Sequence, residues 1–294
     1  INRLSHIDRV TGDPIRRYEH DHPGAMIHVD VTKFGNIPDG GGWRYVGEQQ
    51  GKQNKQRAAR AGAGYTEKGH PNIGTAFLHT VLDDHSRFNL ALRACAEQRK
   101  RTVQTHLTEV FRRYGLPVRI NTDNGPPWGT GGQGEFSMLG VWLMRLGIKL
   151  SHSTPWHPQS NGKDERFHRS LKRELLRHHE WLDLPQAQVK FDDWRHIYNE
   201  QRPHEALEMQ TPVQRYRPSK RSMPSTLPEP EYEEWAQVRK VQHGGWVHFQ
   251  GREIRLFKAL VGQPVAFMPR AERDGAYDVY FCQQHLKAVH LGAR

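Results

Sequence analysis

The chain of 294 residues holds only two cysteines, Cys95 and Cys282, which excludes a disulfide framework and a Cys-rich zinc site. A reducing, cytosolic compartment suits such a sequence. No apolar run approaches the ~18 residues that a membrane span requires. Branched aliphatics are scarce as well. Leu, Ile, Val and Phe total 61 residues, about a fifth of the chain, which is near the limit for building a core. Eleven Phe, nine Tyr and eight Trp return the composition to the globular class, with a modest core and long polar excursions. Nineteen histidines are present, but none has the His-Glu-x-x-His spacing of a zinc helix. Charge is what the sequence has in excess: 43 Lys and Arg against 32 Asp and Glu, a net +11. Residues 1–221 hold 34 of the cations and 24 of the anions, whereas residues 222–294 hold 9 and 8. A polyanion partner for the first three quarters fits this distribution, as would a merely solvated surface.

The length predicts about two domains at ~150 residues each. Residues 1–24 read as a linker or the remnant of an N-terminal DNA-binding region. Alternation of Ile27, Val29 and Val31 with His28, Asp30 and Thr32 predicts a strand. Residues 35–74 show no periodicity. They contain the run Gly40-Gly41-Gly42 and the cations Arg44, Lys52, Lys55, Arg57, Arg60 and Lys68, so they read as a basic, flexible insertion. Two β-rich runs, 75–84 and 88–95, form a hairpin. Val103, Leu107, Val110, Phe111 and Tyr114 then mark a helix that stops at Gly115. Strands at 118–123 and 148–151, and helices at 135–146, from Lys163 and at 186–201, complete an α/β pattern. Helical crossovers imply parallel neighbours, so a mixed five-stranded sheet flanked by helices is expected over residues 25–217. A Pro/Ser linker (218–230) leads to six short alternating runs punctuated by glycine, which predict a small β-barrel over residues 231–294.

Three carboxylates stand out. Asp30 sits in the middle of the first strand, where a charge is costly unless compensated; a salt bridge or a solvent-facing strand end would also explain it. Asp123 ends the next strand after a helix, in a sequence, Asp-Asn-Gly, that is also ordinary turn chemistry. Glu165 opens a helix whose Phe167, Leu171 and Leu175 form the buried face. At ~100° per residue, Arg169 and Lys172 share its exposed face, an arrangement that a plain helical salt bridge would also produce. Asp83 and Asp84 read as hairpin-turn residues, and Asp164 points ~100° away from Glu165. In a sheet of this order Asp30 and Asp123 converge, and Glu165 can join them. Three clustered carboxylates would repel one another unless divalent cations intervene.

The segments HVDVTKF (28–34), LDDHSRF (82–88), NTDNG (121–125), HPQSNGKDERFHRSLK (157–172) and YNEQRPHEAL (198–207) resemble the integrase-type core of insertion-sequence transposases. This is the Asp-Asp-Glu class, ribonuclease H-like, shared with retroviral integrases. The resemblance implies that Asp30, Asp123 and Glu165 are the catalytic, metal-holding triad, with two Mg²⁺ or Mn²⁺ ions. It also implies that Trp156, Gln159 and Asn161 lie on a loop beside DNA, with Arg169 and Lys172 where its backbone runs. The implied activity is Mg²⁺-dependent cleavage at element ends and strand transfer into target DNA, by a homo-multimer on DNA in the bacterial cytoplasm or nucleoid. No small-molecule cofactor and no membrane are implied. The same carboxylates would serve a ribonuclease H-like nuclease or resolvase, and a truncated, non-catalytic DNA-binding derivative is a third reading. Forty-one residues separate Asp123 from Glu165, a long interval for the class, and Gly-rich GTGGQG (129–134) can hold the surplus.

Overall fold

Strand β1 (Met26–Asn36) lies at the centre of the sheet in the computed structural model, which describes residues 19–63, 75–123, 128, 136–152, 162–177, 180–271 and 273–291. It pairs antiparallel with β2 (Thr75–Asp83) and parallel with β4 (Arg119–Thr122). Beyond these lie β3 (Asn89–Cys95) and β5 (Lys149–His152), giving the order β3-β2-β1-β4-β5. This is the expected ribonuclease H-like sheet. Period-two alternation sends Ile27, Val29 and Val31 to one face and Phe34 to the other.

Between β1 and β2 the sequence suggests a flexible loop, but the chain there is largely helical. A single turn, α1 (Trp43–Val46), is followed by α2 (Glu48–Ala58). The helix is polar on nearly every side, so apolar periodicity could not reveal it. Good helix formers and a Glu48–Lys52 pair one turn apart (2.6 Å) support it. Its place is set by Gly51, where a Cβ would lie 2.4 Å from Trp43 Cα. Asn54 is buried and donates to the carbonyls of Gly40 and Gly41 (2.9 and 3.0 Å). Residues 64–74 of the insertion lie outside the described residues.

Helices cover both faces of the sheet. On one, α3 (Lys100–Tyr114) and α4 (Met138–Arg145) bury Leu107, Phe111, Leu139 and Leu143 against Ile27, Val29 and Ile120. On the other, α5 (Gly162–Leu171), with a π-helical continuation over Lys172–Leu176, meets α6 (Leu184–His196). Phe167, Leu171, Leu175, Phe191 and Trp194 pack there over Leu78, Leu82 and Leu92. The α6 helix also fastens β3 by hydrogen bonds. Arg195 donates to the carbonyls of Asn89 and Leu90, and Asn199 both accepts from and donates to the Asn89 backbone. A short helix α7 (Pro212–Arg215) closes this part with a capping box on Thr211.

The Pro/Ser segment after α7 lies along the core as a strap. Ser219 N–H donates to the Tyr114 carbonyl, and the Arg221 carbonyl accepts from Leu116 N–H (2.8 and 2.6 Å). The Arg221 guanidinium donates to the carbonyls of Pro117, Leu146 and Gly147. Gly115 makes the crossing possible: its φ is +80°, and a Cβ there would lie 2.5 Å from the Ser219 carbonyl oxygen.

All six predicted C-terminal strands are present, but they do not hydrogen-bond into the expected closed barrel. Strands β6 (Gln237–Lys240), β9 (Pro264–Pro269), β10 (Ala276–Phe281) and β11 (Gln284–His290) form an antiparallel sheet in the order β11-β10-β9-β6. Strands β7 (Trp246–Phe249) and β8 (Arg252–Arg255) form a separate ribbon. Gly251 and the positive φ of Gln250 make the ribbon's tight turn. Gln242, just past β6, bridges to Trp246, and Gln250 Nε2 and Lys287 Nζ donate to the Tyr277 hydroxyl and the Arg255 carbonyl across ribbon and sheet. Phe249, Phe267 and Phe281 fill the space between them, whereas Trp246 stays 39 % exposed under Arg255. Val141 and Met144 of α4 belong to this same cluster, so the C-terminal unit is docked on its own core.

Replacing Gly115 by Ala should therefore cost about 2 kcal/mol or more, because it forces a side chain into left-handed backbone and against two carbonyls. Urea unfolding of the two proteins measures this; equal midpoints would mean that the strap yields freely.

Candidate active site

Asp30 is level with Thr80 on β2. On the other side, the parallel register pairs His28 with Asn121. Extending that register by two residues sets Asp123 level with Asp30, just past the end of β4. His28 and Asn121 share a face, with 3.5 Å between Nδ1 and Nδ2. The period of two then gives Asp30 and Asp123 the same face. Asp123 is exposed.

Helix α5 is brought to that face by a buried clamp. Lys163, its second residue, donates to Asp84 Oδ2 (2.5 Å), and His28 Nε2 lies 2.9 Å from Oδ1 of the same carboxylate. The Asp84 side chain is 3 % exposed. Burial alone would raise its pKa. The hydrogen bonds from His28 and Lys163, with the Lys163 charge, outweigh burial and hold the carboxyl well below the ordinary range. Lys163 is itself pushed down, chiefly by burial, with the Asp84 carboxylate opposing that shift. Asp83 performs the turn role expected of it: Oδ2 accepts from the backbone and hydroxyl of Ser86. It also ties in Gly24 N–H through Oδ1 (2.7 Å). Its pKa is raised, because burial outweighs these hydrogen bonds.

Nearly two turns into α5, His168 reaches the sheet. Its Nε2 lies 3.1 Å from Asp30 Oδ2, 3.4 Å from Asp164 Oδ2 and 3.4 Å from the Thr80 hydroxyl. Burial opposes the positive charge, but the two carboxylates outweigh it and push the imidazole up to about 10. At neutral pH His168 is therefore cationic and neutralises part of the acidic cluster. One oxygen of the cluster, Asp164 Oδ1, is buried with no hydrogen-bond partner among the described residues.

The predicted residues are thus distributed unevenly. Asp30 is in the cluster. Glu165, Arg169 and Lys172 occupy the exposed face of α5, as the angular arithmetic requires, with Phe167 and Leu171 buried behind them. The carboxylate that shares a partner with Asp30 is Asp164, and His168 is that partner; the sequence reading assigned neither a role. Their spacing of four on a helix was the available signal. Trp156, Gln159 and Asn161 lie outside the described residues.

A groove of about 1110 Å³ runs from this cluster, lined by Thr32, Lys33, Trp43, Arg44, His168 and Lys172 among others. Trp43 is 51 % exposed, with the Arg44 guanidinium 5.1 Å from its ring centre. The insertion between β1 and β2 therefore supplies one wall of the groove, and the helix that carries Glu165 supplies the other.

Comparison with known proteins agrees with this architecture. The integrase core domain profile matches residues 20–158, and a second integrase core domain profile matches 146–212. The profile of the IS481 family transposase C-terminal domain matches residues 236–294. The chain belongs to the integrase core family, and it carries the C-terminal domain of the IS481 family transposases. The Gag-Pro-Pol polyprotein of Mason-Pfizer monkey virus is 36 % identical over 107 residues, which is 36 % of this chain and 6 % of the polyprotein. An uncharacterized 31.7 kDa protein of insertion element IS407 from Burkholderia multivorans is 32 % identical over 108 residues, 36 % of each chain. The chain therefore aligns with only a minor part of these relatives. Among solved structures, the simian T-cell lymphotropic virus intasome bound to a PP2A regulatory subunit aligns over 93 % of this chain and 82 % of its own. The identity is 17 % and the TM-score 0.46. No helix among the described residues is long and apolar enough to cross a membrane.

The clamp makes a prediction of its own. Asp84→Ala strands two buried partners and should destabilise the fold by about 3–5 kcal/mol at neutral pH. A carboxyl with a depressed folded pKa contributes fully above its unfolded value of ~3.9, and the contribution fades as pH falls toward the folded value. Urea unfolding of wild type and variant should give a constant difference above about pH 5 that narrows below about pH 4.

Proposed function

We propose that this chain is a DNA transposase that cuts at the ends of a mobile element and joins those ends to target DNA. The reading is supported by the parallel register that sets Asp123 level with Asp30 on the neighbouring strand, by Asp84 and His168 holding α5 against the sheet, and by a groove lined by Lys33, Arg44 and Lys172. Asp30, Asp123 and Glu165 are the proposed triad.

The donor set suits a hard divalent cation. Carboxylate oxygens of Asp30 and Asp164 lie within 4.8 Å of each other beside His168. The cationic His168 offers no lone pair, so the available donors are oxygens, and among the described residues Asp164 Oδ1 is buried without a hydrogen-bond partner. Magnesium or manganese, two ions in the full reading, would supply Lewis acidity to the attacking and leaving oxygens of an in-line phosphoryl displacement. The protein's own groups do the rest. Asp30 and Asp123 fix the position of the reacting phosphate, and Glu165 closes the set from the helix. His168 holds Asp30 in place and offsets its charge. Lys172, Arg44 and Lys33 line the path of the phosphate backbone, with Arg169 on the same helix face as Lys172, and Trp43 offers a stacking surface. Water attack at the element end leaves a 3′-hydroxyl, and that hydroxyl then attacks a target phosphodiester. No covalent bond to the protein is needed. The net charge of +11 suits binding to DNA in the cytoplasm or nucleoid. A pair of element ends calls for more than one copy of the chain.

Asp164 gives a second reading of the site a definite basis, since it and not Glu165 shares His168 with Asp30. Strand-transfer assays in Mg²⁺, on duplexes carrying the ends of the element that encodes the chain, decide between them. Asp30→Asn, Asp123→Asn and Glu165→Gln should each abolish joining with the fold retained by circular dichroism. Asp164→Asn should cost only about 10–100-fold, the usual loss for a group that orients a ligand. If Glu165→Gln keeps activity while Asp164→Asn loses it, Asp164 is the third carboxylate; full activity in Asp30→Asn would end the transposase reading.

A further inference from the structure

On the opposite face of the sheet from Asp30, three side chains from three consecutive elements converge. His79 of β2 and His106 of α3 bring their Nδ1 atoms to 3.0 Å. Cys95, at the end of β3, places Sγ 3.7 Å from His106 Nδ1. The three ligand atoms lie within 4.8 Å of one another. His79 and Cys95 are buried and His106 is partly exposed. We propose that His79, Cys95 and His106 form a binding site for a borderline-soft divalent metal, Zn²⁺, with its fourth position open toward the exposed side of His106.

The distances are close to those that a metal needs. Zinc–nitrogen bonds of about 2.0–2.1 Å and a zinc–sulfur bond of about 2.3 Å place tetrahedral ligands about 3.3 Å (N to N) and 3.6 Å (N to S) apart. The two separations to His106 Nδ1 differ from these by only a few tenths of an ångström, and the third lies within 4.8 Å, so modest side-chain shifts suffice. The surroundings also preset the ligands. His79 Nε2 lies 3.1 Å from the Glu97 carbonyl oxygen. A carbonyl can only accept, so Nε2 carries the proton and Nδ1 presents its lone pair to the cluster, the usual support for a metal-bound imidazole. Without an ion, His106 Nδ1–H donates to that lone pair; with one, His106 takes its other tautomer. Burial and the neighbouring His106 lower His79 to about 4, and burial lowers His106, so both rings are neutral near pH 7. Burial pushes the Cys95 thiol up to about 12. Each ion bound therefore displaces one proton, the thiol's, to solvent. An ion here would tie the β2–β3 hairpin to α3, directly behind Thr80, whose hydroxyl faces His168. The class of ligand differs from the all-oxygen set around Asp30, so the two sites call for different metals.

The test uses the full chain, in excess Mg²⁺ to occupy the carboxylates, titrated with Co²⁺ as the spectroscopic probe. The expected result is one Co²⁺ per chain, with a thiolate-to-cobalt charge-transfer band and the intense visible bands of four-coordination, reversed by one equivalent of Zn²⁺. Cys282→Ser should retain the bands, which assigns the sulfur to Cys95, the only other cysteine. Asp30→Asn should retain them too, whereas Cys95→Ser and His106→Gln should lose them. Zinc should also raise the wild-type melting temperature. The absence of a charge-transfer band in the wild type, or its loss in Cys282→Ser or Asp30→Asn, would overturn the proposal. In the first case the three residues are only a buried hydrogen-bond network. Because the wild type and Cys282→Ser carry the decision, misfolding of Cys95→Ser leaves it standing.

Discussion

Crowded negative charge in the middle of the central strand, where Asp30 meets Asp164, is the constraint on which the rest of the structure depends. Asp30 cannot be buried among carboxylates without a compensating cation. The fold supplies one in the metal-free chain, His168, from a helix that must be held against the sheet. A second buried carboxylate, Asp84, does the holding. It draws Lys163 at the start of α5 and His28 one residue pair away from Asp30 on the same strand. Asp30 on β1 and Asp84 in the turn just past β2 thus fix where the helix begins and which of its faces meets the sheet. The aromatic packing of Phe167 on Trp194 and Tyr198 then keeps it there.

The same economy shows in the outer parts of the chain. The insertion after β1 is not merely tethered near the site; its Trp43 and Arg44 form a wall of the groove, set by the close approach of Gly51. The C-terminal unit buries Val141 and Met144 of α4, and α4 lies on the sheet face away from Asp30. Many of its aromatic residues fill its own core. Trp235 and Trp246 stay exposed, the latter beneath Arg255 on the ribbon that the glycine turn projects. The near-neutral charge of this unit fits a part that braces the core.

Much of this was legible in the sequence because the determining patterns are local. Alternation located the strands, and the Phe167, Leu171 and Leu175 spacing located both α5 and its buried face. Three features were not legible, each for a physical reason. Helix α2 has no apolar stripe, so only propensity and one tight contact mark it. The contact of Asp164 with His168 depends on which side of the helix approaches Asp30, and angles within one helix do not contain that. The His79, Cys95 and His106 cluster draws on three elements separated by 16 and 11 residues, so no linear motif announces it.

The central claim is that Asp30 in the middle of β1, with Asp123 just past β4, directs a metal to the scissile phosphate. Sulfur substitution at that phosphate tests it most directly. A softer ligand weakens binding of Mg²⁺ far more than of Mn²⁺. Cleavage of a DNA end with a phosphorothioate at the scissile position should be slow in Mg²⁺ and restored in Mn²⁺, while the unmodified end is cut in both. Equal loss in the two metals, or cleavage that persists in a chelator, would contradict the account.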